Sequence, residues 1–225
     1  MTTDYWRQDE LVRQDQLDVP ITLAGAGGIG SPAALALAKL GCRRLTVFDP
    51  DLVEPHNVPN QLYGPADLGR PKVEALAELI ERLTGHRPES AAAVLPPGAH
   101  QGVLIVAVDS MAARSGIWQA SARYQPAVQL LIDARMGGEV GRLLAISPTD
   151  PDDVAFYEST LHDDADADPE PCFDQSVGYA TLVLGGLVAA AVKRFATGEP
   201  TRGETVIDLA TLTLLTRTIG GTFDG

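Results

Sequence analysis

Cysteine is nearly missing from this sequence: Cys42 and Cys172 are the only two in 225 residues. Two thiols cannot build a disulfide framework or a four-thiolate zinc site, so no zinc is expected and packing alone must hold the fold. Basic residues are scarce as well. Lys and Arg number 17 against 30 Asp and Glu, a formal charge of −13, and so acidic a chain offers no surface for nucleic acid. The longest apolar stretch, Tyr179 to Val192, ends at Lys193 and Arg194 and falls short of the roughly 20 residues that span a bilayer. It reads as a buried helix. Met1 to Arg13 is polar and lacks the apolar centre of a signal peptide. A cytoplasmic, reducing location fits these absences.

Apolar residues supply 45% of the chain and charged residues 21%, the balance of a soluble globular protein, and the length suits one α/β domain over 1–225. Residues 20–24 form an apolar run, followed at once by Gly25-Ala26-Gly27-Gly28-Ile29-Gly30. Ser31 and Pro32 then open a helix that runs to Leu40 and stops at Gly41, and 44–48 reads as a second strand ending at Asp49. A loop covers 51–71. The spacing of Val73, Leu76, Leu79, Ile80 and Leu83 predicts a helix over 72–84. The run 103–108 has the character of a strand buried on both faces, ending at Asp109. A helix over 111–124, strands at 128–132 and 142–146, an apolar helix over 177–195 and strand-like runs at 204–209 and 211–216 complete the pattern. The expected fold is α/β: a Rossmann-like, mainly parallel sheet flanked by helices, with the apolar helix and further strands towards the C-terminus. Residues 1–17 read as an arm. Residues 158–172, dense in Asp163, Asp164, Asp166, Asp168 and Glu170, read as a mobile acidic loop.

Glycines at 25, 27, 28 and 30 let the backbone turn tightly and approach a phosphate, which the following helix N-terminus then attracts. Asp49, about 20 residues on, suits ribose hydroxyls. These two features are equally compatible with an NAD or FAD oxidoreductase.

The next motifs separate the alternatives. Asp49-Pro50-Asp51-Leu52-Val53, then Asn57-Val58-Pro59-Asn60-Gln61, then Gly69-Arg70-Pro71-Lys72, follow one another in the order D-x-D-x-V, N-x-x-R-Q, G-x-P-K. With the glycine turn and the later Asp109, this series resembles the ThiF/MoeB/HesA superfamily of ubiquitin-activating-like adenylyltransferases over roughly residues 5–195. The resemblance implies ATP-dependent adenylation of the C-terminal glycine carboxylate of a ubiquitin-like or sulfur-carrier protein ending in Gly-Gly, with release of pyrophosphate. It implies that Gly25, Gly27, Gly28, Gly30, Asp49, Asp51, Asn57, Gln61 and Lys72 bind ATP, that Lys72 neutralises the α-phosphate, and that Asp109 holds Mg²⁺. Tyr5-Trp6-Arg7-Gln8 is similar to the family's R-Y-x-R-Q, in which an arginine reaches a neighbouring subunit's ATP; Arg7 is the corresponding candidate and a homodimer is implied. Each residue also has a plain alternative: Lys72 as a solvated first-turn lysine, Asp109 as a helix cap, Arg7 as a surface arginine.

Two departures matter. Asn60 stands where N-x-x-R-Q carries its arginine, and a neutral amide cannot replace a bidentate cation on phosphate. Arg135, in Asp133-Ala134-Arg135, and Arg70 are the candidate substitutes; without one, the chain is a degenerate, non-catalytic partner that binds nucleotide or a ubiquitin-like protein. Cys172 resembles the thioester- or acyl-disulfide-forming cysteine of some relatives, although the carboxylates around it disfavour a thiolate. The acidic loop resembles the family's crossover loop.

Overall fold

The computed structural model describes residues 4–98, 100–162 and 176–223. Its centre is an eight-stranded sheet in the order β3-β2-β1-β4-β5-β6-β7-β8. Strands β1 (Ile21–Ala24), β2 (Leu45–Phe48), β3 (Glu89–Ala91), β4 (Gly102–Val106) and β5 (Val128–Gly137) are mutually parallel; β6 (Val140–Ile146), β7 (Gly203–Asp208) and β8 (Thr213–Arg217) continue antiparallel. The expected Rossmann-like sheet is what forms.

Burial follows sequence character. β4 is buried at every position, as its unbroken apolar run requires. One face of the sheet is covered by α1 (Gly30–Leu40), α2 (Lys72–Thr84) and α5 (Gly178–Ala196), which share a core of Leu23, Leu37, Leu76, Ile105 and Leu184. Helices α3 (Met111–Ile117) and α4 (Pro151–Glu158) cover the other, around Trp118 and Tyr157. By length and composition α5 is apolar enough to cross a membrane, yet it buries Ala180, Leu184, Val188 and Val192 inward and exposes Tyr179, Leu182 and Val183. Gly185 explains its close approach to α1: a Cβ there would lie 2.8 Å from Ala33 N.

Four expectations need correction. The strand expected at 128–132 runs on to Gly137, because antiparallel β6 pairs with it back to Val140; Asp133 is therefore a mid-strand residue. The helix expected over 111–124 is α-helical only to Ile117, and a π-helical turn, Trp118–Ala122, replaces its end, closed by Arg123 N–H donating to Trp118 O. Strand β3 was not foreseen; it is three residues long and lies at the sheet edge. Helix α4 was also not foreseen, although Asp150-Pro151-Asp152-Asp153 is a legible start: Asp150 accepts from the N–H groups of Asp152 and Asp153, and Pro151 occupies the first turn.

Candidate nucleotide site

Strands β1 and β4 are adjacent, while the chain leaves β1 towards β2 and β3 before returning to β4 on the other side. That reversal opens a crevice at the carboxyl ends of β1 and β4, where open α/β sheets bind ligands. The glycine turn sits there. Gly25 adopts φ +97°, and an added Cβ would meet Ala107 O at 2.5 Å; a Cβ on Gly30 would meet Gly25 O at 1.9 Å. These two glycines are required by the protein itself. Gly27 is different: its φ is unexceptional and the nearest atom to an added Cβ is Gln61 Nε2 at 3.9 Å. The fold leaves room there for something else to approach.

Helix α1 begins beside the turn, with Ser31 N–H and Ser31 Oγ both donating to Gly27 O. The N–H groups of Gly27, Gly28 and Ile29 find no acceptor among the described residues. Successive unpaired amides at the positive end of a helix are an anion site. Tyr63, missed in the sequence, steadies the turn by donating its OH to Ala26 O at 2.7 Å.

Asp49 flanks the turn from the β2 side and is 5% exposed. Its carboxylate accepts from Ala26 N–H at 2.7 Å and Asp51 N–H at 2.8 Å. Burial pushes its pKa above the ordinary 3.8, opposed by those two amides and by Lys72. A carboxylate has about four lone-pair sites, so acceptors remain for hydroxyl groups. Lys72, the first residue of α2, is buried and its Nζ donates to Asp51 Oδ2 at 2.8 Å, while Asp51 stays exposed. The plain alternative of a solvated lysine is thereby excluded. The bridge between Leu52 and Pro71 ties the two segments together.

Asp109 lies on the other flank, three residues beyond β4, and is exposed. It does not cap α3; Ser110 does, its Oγ accepting from Ala113 N–H at 3.2 Å. Among the described residues no group of three or more His, Cys, Asp or Glu could hold a metal. A single carboxylate is nonetheless compatible with Mg²⁺, which commonly uses one or two carboxylates together with substrate phosphates.

Other predicted residues lie differently. Asn57 is buried and its Oδ1 accepts from Glu54 N–H, closing the turn Pro55–Asn57. Asn60 Nδ2 donates to Ser176 Oγ, and Asn60 O accepts from Thr181 Oγ1; the residue fastens its loop to the start of α5. A small cavity of about 90 Å³ lies against Asn60, Gln61, Gly178 and Thr181. Arg135 is 8% exposed and already committed: Nε and Nη2 donate to Asp133, Nη1 to Thr160 O and Nη2 to Thr160 Oγ1. Arg70 pairs with Asp67 and Glu78. Arg7 is exposed beside Trp6, and its neighbour Gln8 bonds to Leu40 O at the C-terminal end of α1. That places it a helix length, roughly 16 Å, from the glycine turn of its own chain. Cys172 and the acidic stretch 163–170 lie outside the described residues.

Comparison with known proteins decides the family: residues 7–220 match the ThiF family model. The chain belongs to the ThiF family. Among its relatives, the sulfur carrier protein ThiS adenylyltransferase of Escherichia coli (strain K12) is 30% identical over 207 residues, covering 85% of this chain and 78% of that protein. The uncharacterized protein y4qC of Sinorhizobium fredii is 44% identical over 62 residues, 28% of this chain, and the match spans only 11% of y4qC. Crystalline E. coli MccB with ATP has the same fold, with a TM-score of 0.68 at 16% identity over 93% of this chain and 66% of MccB. The family to which this chain belongs thus includes a relative named as an adenylyltransferase, whereas the match spans only a small part of y4qC.

Proposed function

We propose that the chain adenylates the C-terminal glycine carboxylate of a small sulfur-carrier or ubiquitin-like protein, consuming ATP and releasing pyrophosphate. The observation that carries this reading is the row of amides at Gly27, Gly28 and Ile29 with no acceptor among the described residues, set between the buried Asp49 and the exposed Asp109. Asp49 holds the ribose, and the amides cradle phosphate with the field of α1 behind them. Lys72 leaves Asp51 for the α-phosphate as a carboxylate oxygen of the carrier attacks phosphorus. The bond from the α-phosphorus to the bridging oxygen breaks, and pyrophosphate departs with the electron pair. Stabilising charge that develops in this step is the main catalytic task. Asp109 is the residue that would hold Mg²⁺, and the ion would supply positive charge to offset that of the phosphates.

The far placement of Arg7 favours action on a neighbouring copy, hence a homodimer. Cys172 remains the acceptor should the acyl group move on to sulfur. The test is ATP–pyrophosphate exchange by the purified chain with a Gly-Gly-ended carrier; exchange dependent on both supports the reading, and its absence opposes it. One observation favours a second reading, a nucleotide-binding but non-catalytic partner. Asn60 is tied to Ser176, and Arg135 and Arg70 are held by carboxylates, so no spare arginine of the same chain stands among them. Exchange without a second kind of subunit would exclude it.

A further inference from the structure

Asp109 is exposed, but the backbone on both sides of it is fixed. On one side Ser110 caps α3. On the other, Arg114 reaches back from the fourth position of α3, where it is 4% exposed, and donates from Nη2 to Val108 O at 2.7 Å. Its Nη1 donates to Asp133 Oδ1 in the middle of β5. Asp133 is wholly buried and receives Arg135 and the Tyr157 hydroxyl, 2.9 Å away, on its other oxygen. Nothing in the local sequence marks Arg114 or Tyr157 for this role.

This arrangement is a two-point clamp. The Val108 carbonyl belongs to the peptide plane that contains the N and Cα of Asp109, so gripping that oxygen sets the direction in which Asp109 leaves the chain. The grip is anchored to β5, a different strand, through a charge-assisted contact that only a planar, forked guanidinium can make together with the carbonyl bond. A carboxylate carried on a free loop would wander; Mg²⁺ tolerates little departure from octahedral geometry. We propose that Arg114 is a positioning residue that presets Asp109 for metal-bound nucleotide through Val108 and Asp133. The inference rests on the proposed role of Asp109 in holding Mg²⁺.

Calorimetric titration of ATP at a series of Mg²⁺ concentrations tests it, with each variant studied below its own unfolding temperature. Arg114→Lys and Arg114→Gln are expected to raise the Mg²⁺ needed for half-maximal ATP binding by about tenfold, as loss of a ligand's supporting partner commonly does, while ATP affinity in EDTA stays unchanged. Asp109→Asn should give at least the same shift, and the Arg114→Lys, Asp109→Asn double variant no more than Asp109→Asn alone. Tyr157→Phe removes one hydrogen bond from the other oxygen of Asp133, leaves both Arg114 contacts in place and is the control: it lowers the melting temperature without moving the Mg²⁺ dependence. A normal Mg²⁺ dependence in either Arg114 variant beside a shifted Asp109→Asn, or additive shifts in the double variant, overturns the inference alone. An unshifted Asp109→Asn overturns the metal role of Asp109 and this inference with it.

Discussion

The two halves of the sheet treat their polar groups in opposite ways. In the antiparallel half, Glu204 is buried on β7 and receives Arg142 from β6 and Arg217 from β8, and Arg217 also stacks on Phe156. Charges there answer one another, so the cluster is explained by the fold. At the carboxyl edge of the parallel half, amides at Gly27, Gly28 and Ile29 have no partner among the described residues, Gly27 faces space, and Lys72 is held by a carboxylate that stays in water. Burial and hydrogen bonding alone do not account for that edge. Polar groups left over after the fold has been satisfied mark the place where a ligand is needed.

Substitutions that separate folding from function sharpen the contrast. Lys72→Ala has the largest expected effect: a loss of about 10²–10³ in exchange rate, or about 3–4 kcal/mol, by comparison with removal of one preorganised donor elsewhere. Its stability should fall far less than its rate, because the exposed Asp51 gives the pair less than about 1 kcal/mol and only the buried stem of Lys72 is lost besides. Glu204→Gln reverses the pattern. It should cost about 2 kcal/mol of stability, read from denaturant unfolding, at the low side of buried-pair losses because Arg142 and Arg217 are about one-third exposed. Exchange per folded molecule should stay normal; a lost rate would break the comparison.

Gly27→Ala comes next. It should weaken ATP binding about tenfold, roughly 1.4 kcal/mol, with unfolding unchanged. Gly30→Ala should instead lower stability before binding is even affected, since its Cβ would overlap Gly25 O. The smallest effect concerns pH. Burial raises the pKa of Asp49 above 3.8, so the folded state holds that proton more tightly than the unfolded chain. The resulting stability is fully present below the ordinary carboxylate value and is lost as pH rises through the raised one. In Asp49→Asn this fall in melting temperature with pH should be shallower than in the unaltered chain.

Much of this edge was legible because it is written in short runs. Gly25 to Gly30, Asp49 and Lys72 lie next to strand and helix ends, and local pattern alone brings them to one side of the sheet. The fate of the arginines was not legible. Arg135 looked available beside a strand end, but β5 runs past it because β6, a later segment, pairs there, and Asp133 and Thr160 then enclose its guanidinium. Asn60 likewise reads as a missing cation until Ser176, more than a hundred residues away, supplies its partner. Arg114 is illegible for the same reason: nothing in its sequence neighbourhood points to β5. Partners distant in sequence decide what a charged side chain is for, and a single sequence does not print them. Cys42, by contrast, is a small core residue, its thiol pushed up to about 12 by burial.

The central claim, that the glycine turn is a cradle for the phosphates of ATP, is tested most directly by titrating ATP with Mg²⁺ into the unaltered chain and into Gly27→Ala in a calorimeter. Saturable one-site binding to the first and about tenfold weaker binding to the second, with identical melting temperatures in the absence of nucleotide, is the predicted result. No heat of binding in the unaltered chain, or equal affinity in both proteins, would contradict it.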